Sequence, residues 1–315
     1  MPDHLWGAAG VKINVVILLG MLVNAVAIAS ASADSSSPLL AAYYDRQMAI
    51  VDQAVYAWKG VEPPTRVPIE AVQVGVGRDS YYALTVTGDL LGFRDDPARQ
   101  RTLLTGVAKF AAGRSGVLAI KNDRTLWWIK ETGGDGQKIA DDVGTAAVGD
   151  GANYYITGSG ALFVSGKAHR GQYGDGRLTA AKEFVQTASD AVRITAHTGH
   201  AILLSGNGDV MGTGGNIYGP VGRHGLGDKA VRWSLIMSGA RAIATGSSHS
   251  LAIRQDGRLV AWGRGYNPEP QPVMPGVVAV AAGTATTIAL KKDGTLWQWD
   301  RGETPNRVWL TANKP

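Results

Sequence analysis

Not one of the 315 residues is cysteine, which excludes a disulfide framework, a thiol nucleophile, a Cys-ligated zinc site and a lipidated N-terminal cysteine. Lysine and arginine never run longer than a pair, and the net charge is only +5. The electrostatic footprint of a nucleic-acid binder is therefore missing. A mildly basic surface suits an acidic protein or polysaccharide instead. Beyond the first 33 residues no apolar stretch approaches the length of a membrane span.

The N-terminus does hold an apolar run. Lys12 precedes Ile13 to Ala29, and Ala31-Ser32-Ala33 supplies a small-residue cleavage pattern. Residues 1–33 are read as a signal peptide, with a mature chain from about Asp34 exported to the periplasm or the extracellular space. A retained anchor is the weaker reading, because Asn14, Gly20 and Asn24 interrupt the run and no basic residues flank its end.

What the chain has in abundance is glycine, 42 residues spaced evenly rather than gathered in linkers. The spacing belongs to an internal repeat. Ala244 to Gly263 aligns without gaps to Ala281 to Asp300, and one frame fits Gly77/Leu84/Gly88, Gly113/Ile120/Arg124, Gly149/Ile156/Gly160, His197/Leu204/Gly208, Gly246/Ile253/Gly257 and Gly283/Leu290/Gly294. Six units follow, with starts 36 to 49 residues apart and the longer intervals explained by extra loop after Gly166 and Gly214. A seventh, degenerate unit sits at the mature N-terminus, where Asp52 to Trp58 parallels Asp256 to Trp262. Arg307 to Leu310 is left over and is expected to pair beside the N-terminal strands, closing a ring.

Each unit reads as short strands rich in Val, Ile, Leu, Tyr and Trp. They are joined by turns such as Asp256-Gly257, Asp293-Gly294 and Asn207-Gly208, expected to be two-residue hairpin turns. Third strands are apolar on both parities, as with Leu259 and Ala261 against Val260 and Trp262. A sheet with one wet face would alternate. The expected architecture for residues 34–315 is therefore an all-β, seven-bladed β-propeller with six clear repeats and one split or degenerate closing blade. The competing open solenoid would need shorter repeats and polar capping ends.

The pattern V-x-x-V-A-A-G-x-x-H-S-x-A-L-x-x-D-G-x-V-x-A-W-G, carried most fully by Ala240 to Gly263 and Val277 to Trp299, resembles the repeat of the regulator of chromosome condensation family. Gly171-Gln172-Tyr173-Gly174-Asp175-Gly176 matches the G-Q-L-G-x-G element that follows it. Phe93 and Ile129 stand where that family has Trp, and Arg124 replaces the turn glycine. Within the family, the short repeats and the leader are most similar to the secreted β-lactamase inhibitor propellers of bacteria. The resemblance implies a non-catalytic binding module for a protein partner, with inhibition of an extracytoplasmic enzyme as its sharpest form. Those inhibitors carry aromatics two places after the repeat glycine; the corresponding residues here are Asp79, Ser115, Gly151, Gly199, Ser248 and Ala285.

Strand order puts all G-x-x-H loops and all loops after the Trp-Gly position on one rim. That rim collects the expected partner-binding residues Tyr173, Tyr218, Arg223, Arg264, Tyr266, His169 and His197. Tyr218, Arg223, Arg264 and Tyr266 are the best anchors by residue type, and both tyrosines Tyr218 and Tyr266 are expected to be exposed. His200 and His249 share a repeat position and read as structural, hydrogen-bonded within or between blades. His197 replaces the repeat glycine at a site expected to require positive φ, which His tolerates better than most residues. No nucleophile elbow, phosphate loop, metal-ligand spacing or carboxylate pair occurs, so no catalytic residue, cofactor or metal is assigned. A monomer is expected. A carbohydrate-binding or carbohydrate-active envelope propeller is the alternative, using rim tyrosines as stacking platforms.

Overall fold

A computed structural model describes residues 39–131, 134–222 and 227–310. The expected signal peptide lies outside the described residues, as does Arg223. The described chain is all β apart from one 3₁₀ turn at Pro97–Arg99. Seven four-stranded antiparallel meanders follow one another, blades 1 to 7, spanning 40–67, 73–104, 107–140, 143–188, 191–237, 240–274 and 277–308. No described helix is long and apolar enough to cross a membrane.

Each blade is buried on both faces, as its doubly apolar strands require. Seven clusters of buried residues lie one at each boundary between consecutive blades, the boundary between blades 7 and 1 included. The third-strand aromatic is the repeated wedge. Trp262 packs against blade 5, Trp299 against blade 6 and Trp58 against blade 7, while Phe93 and Ile129 fill the same role against blades 1 and 2. The indoles also donate across the boundary: Trp262 Nε1 to Pro220 O at 2.8 Å and Trp299 Nε1 to Tyr266 Oη at 2.8 Å.

Ring closure departs from the expectation of a shared blade. Asn306–Val308 pairs with Leu296–Asp300 of its own blade, and the N-terminal blade is complete from Leu40 onward. The N-terminal blade is thus the degenerate alternative, not a split one. Leu310 still reaches the boundary, buried with Leu40, Tyr56 and Trp58.

The hairpin turns differ as well. Gly257 N bonds Arg254 O and Arg254 N bonds Arg258 O, so three residues form the loop and only the glycine is left-handed, at φ +80°. The residue before that glycine bonds the one after it, as Asp256 Oδ1 accepts from Arg258 N and Asp293 Oδ1 from Thr295 N. A true two-residue turn occurs in blade 1, where Asp52 and Gln53 are both left-handed.

Candidate functional site

The strand directions confirm that the loops after the first and third strands of every blade share one face. The insertion 167–180 and the described parts of the second, 216–222 and 227–228, lie on it. Three of the expected anchors converge there. Tyr218, Arg264 and Tyr266 line one groove of about 550 Å³ between blades 5 and 6, together with Asn216, Ile217 and Pro268. The Arg264 guanidinium sits 4.7 Å from the centroid of the Tyr218 ring, a cation–π pair at a solvent-facing edge. Ile217 and Tyr218 are 70% and 47% exposed.

The groove is built by the insertion. Asn216 Nδ2 donates to Gly222 O at 3.1 Å and its Oδ1 accepts from Val221 N at 3.2 Å, so the loop folds around one buried amide. Pro220 O then receives both Trp262 Nε1 and Ser250 Oγ at 2.8 Å. Tyr218 is presented from a loop bolted to two blades, which lowers the entropy a partner contact must overcome.

Other expected site residues are placed elsewhere. Tyr173 is not on the surface at all: it is 0% exposed, and its hydroxyl donates to Gly166 O at 3.0 Å and accepts from Ala181 N at 3.1 Å. The G-Q-Y-G-D-G element is a clasp between blades, with Gly176 N bonding Val231 O at 2.8 Å and Thr213 Oγ1 donating to Gly171 O at 2.7 Å. A Cβ on Gly171 would lie 2.4 Å from Ala230 O, which is why glycine stands there. Tyr266 lines the groove but is half-buried, because its hydroxyl serves Trp299 of the next blade. His169 is exposed on the blade 4 insertion, outside the groove lining.

His197 belongs to a different locus, the mouth of the central channel. The first strands of all seven blades line this channel of about 120 Å³, largely with alanines such as Ala42, Ala112, Ala147, Ala196, Ala244 and Ala282. Its rim is stoppered by the His197 ring stacked on Tyr43 with centroids 4.8 Å apart. The Tyr43 hydroxyl donates to Asp150 Oδ1, and Arg114 lies 3.9 Å from Asp150 Oδ2. Blades 1, 3, 4 and 5 therefore meet at one cluster. His197 does not adopt positive φ. The repeat glycines at its position answer to crowding: a Cβ on Gly246 would lie 2.6 Å from Gly283 O of the next blade.

Electrostatics at the mouth favour a plug over chemistry. Burial, the hydrogen bond to Asp150 and the charge of Asp150 all push the Tyr43 hydroxyl far above its ordinary pKa, the opposite of an activated nucleophile. Burial holds His197 down to about 4 despite the nearby Asp150.

His200 and His249 are structural between blades. His200 Nε2 meets Ser250 Oγ at 3.0 Å, and His249 Nε2 meets Thr287 Oγ1 at 3.1 Å. Burial pushes both imidazoles down to about 3, so they are neutral at physiological pH. Among the described residues, no group of three or more His, Asp or Glu side chains could hold a metal ion.

Residues 240–267 match the family model described as the regulator of chromosome condensation (RCC1) repeat. The ultraviolet-B receptor UVR8 of Arabidopsis thaliana is 26% identical over 235 residues, which cover 71% of this chain and 46% of that protein. The chain thus spans about half the length of that curated relative. Yeast RCC1 (Prp20), solved bound to Kap60, superposes with a TM-score of 0.72 at 16% identity, over 81% of this chain and 79% of that one. Human WBSCR16 superposes with a TM-score of 0.67 at 15% identity, over 81% and 86% of the two chains. These structural likenesses are of fold. Propellers of this kind are typically protein-interaction modules. Residues 240–267 thus carry an RCC1 repeat, and with seven meandering blades on one ring the chain is a β-propeller of the fold those proteins share.

Proposed function

We propose that this chain is an exported, non-catalytic propeller that binds a protein partner through the groove between blades 5 and 6. The observation that carries the reading is the exposed Ile217–Tyr218 pair with Arg264 stacked on the tyrosine. A large, pre-positioned aromatic beside a guanidinium on a rigid loop is the composition of an interface hot spot. Export rests on the leader sequence, and inhibition of an extracytoplasmic enzyme is the form of binding that the resemblance to secreted inhibitors favours.

The test is affinity capture from extracytoplasmic extract with the parent protein and with Tyr218→Ala/Arg264→Ala in parallel, alongside a glycan array. A protein retained by the parent and lost by the variant supports the reading. Glycan binding lost by the same variant, with no protein retained, would establish the carbohydrate-binding alternative in its place.

A further inference from the structure

A second cleft opens on the same face, between blades 2 and 3 and independent of the groove. It has a volume of about 680 Å³ and is lined by Ser80, Tyr82, Phe93, Arg94, Arg101 and Glu131, and also by Asp95, Asp96 and Arg99. Most of its charges are already engaged. Asp95 pairs with Lys59 at 2.7 Å and Arg46 at 3.3 Å. Asp96 accepts from Ala98 N at 2.9 Å and pairs with Arg99 at 3.4 Å. Glu131 Oε1 accepts from Asp79 N at 2.9 Å. The guanidinium groups of Arg94 and Arg101 have no hydrogen-bond or ion-pair partner among the described residues, and both residues are exposed.

Beneath them lies an unused donor. Tyr82 is 1% exposed and its hydroxyl has no hydrogen-bond partner. Burial and the nearby Glu131 push its pKa up, while Ser80, which lies beside the hydroxyl, and the charges of Arg101 and Arg94 act to lower it. A buried hydroxyl left without a partner is uncommon in a folded protein and calls for an explanation. Here it shares a cleft with two unpaired guanidinium groups.

We propose that this cleft binds a carboxylate presented by an acidic side chain of a polypeptide, with Arg94 and Arg101 as the charged donors and Tyr82 Oη as the buried one. The planar, two-oxygen carboxylate matches the guanidinium fork. A phosphate dianion is disfavoured, because Asp95, Asp96 and Glu131 line the same cleft and would repel its second charge. A sugar acid is disfavoured because the rings of Tyr82 and Phe93 are buried and offer no open face for stacking.

The probe is a capped Gly-Glu-Gly peptide, titrated into the full chain and followed by chemical-shift changes, against the Gly-Gln-Gly peptide, free glucuronate and inorganic phosphate. Saturable binding of the Glu peptide is expected, at least about tenfold tighter than each comparison ligand, the scale of one charge-assisted hydrogen bond. Arg94→Ala and Arg101→Ala should each weaken it by a similar factor. Tyr82→Phe should do the same while leaving the melting temperature unchanged or higher, since it removes an unpartnered hydroxyl without opening a cavity. Absent or equal binding of the Glu and Gln peptides, equal binding of phosphate or glucuronate, or a Tyr82→Phe variant that melts lower with affinity intact would each overturn the proposal. Tyr218→Ala/Arg264→Ala should leave this titration unchanged, so the two readings fail separately.

Discussion

The indole N–H of Trp58 in blade 1 donates a 2.7 Å hydrogen bond to the side-chain carbonyl of Gln298 in blade 7. The same glutamine returns its amide N–H to Gly60 O at 2.7 Å. One side chain thus locks the ring where the chain's two described ends meet, in place of a shared strand. Gln298→Ala should leave the buried indole N–H unpaired and lower stability by about 1–3 kcal/mol. Removing residues 307–315 should also lower the cooperative melting temperature, because it takes Val308 from the outer strand and Leu310 from the boundary core. A truncated chain melting like the parent would contradict this account of closure.

Trp262→Ala and Trp299→Ala should each cost about 3–5 kcal/mol, the scale for large-to-small changes in a core. Both rings are wedged between blades and buried, at 0% and 3% exposure. Chemical denaturation reads this directly. Losses below roughly 1 kcal/mol in both would place the third strands at the surface.

Acid should weaken the ring through His200 and His249. Their native pKa values, about 3, lie below the ordinary 6.5. Above pH 6.5 the imidazoles are neutral in both folded and unfolded chains and contribute no pH dependence. As pH falls from 6.5 toward 3 the unfolded chain takes up protons that the native state refuses, so stability declines, by about 1.4 kcal/mol per pH unit for each histidine at most. Melting curves across that window should show the decline, and His249→Gln should make it shallower. An identical slope in the variant would remove His249 from the account.

Tyr218→Ala/Arg264→Ala should weaken binding of a captured partner by about 2 kcal/mol or more, the hot-spot scale, with little change in melting temperature. Tyr266 is the wrong residue for that pair, since its hydroxyl is Trp299's acceptor. Lys291 and Lys292 adjoin the hairpin turn of the opposite face and make the matched control. Binding lost with the lysines and kept without Tyr218 would reverse the face assignment.

Arg124 tests the repeat itself. It holds φ +66° where the equivalent Gly88, Gly160, Gly208, Gly257 and Gly294 lie between +80° and +87°. Its ion pair with Asp142, at 2.7 Å, joins two side chains more than half exposed, a pairing of small value. Arg124→Gly should therefore stabilise by up to about 1 kcal/mol by relieving left-handed strain. A lower denaturant midpoint would show the pair outweighs the strain.

Which of these features the sequence displayed follows from how local each one is. Trp262, Trp299, His200 and His249 recur at fixed offsets, so periodicity alone marked them as structural. Tyr218 and Arg264 announced themselves as large residues in an insertion, and they do meet. Tyr173 and Tyr266 carried the same signal but point inward, because a neighbouring blade needed a hydroxyl, and nothing within their own repeat records that need. The channel-mouth cluster was invisible for a stronger reason: Tyr43, Arg114, Asp150 and His197 come from four blades and share no spacing. Tyr82 looked like any strand aromatic, since an unpaired donor is a property of surroundings.

Closure without a shared strand makes the boundary between blades 7 and 1 a contact of the same kind as the other six. The covalent gap is then an accident of position. A chain re-cut in any turn of the face opposite the groove, with Leu310 joined to Leu39 by a short linker, keeps every strand pairing and every interblade wedge. The molecule behaves as a necklace whose clasp can be moved from bead to bead, and the groove between blades 5 and 6 can be placed as far from the chain ends, or as near, as an engineered fusion requires.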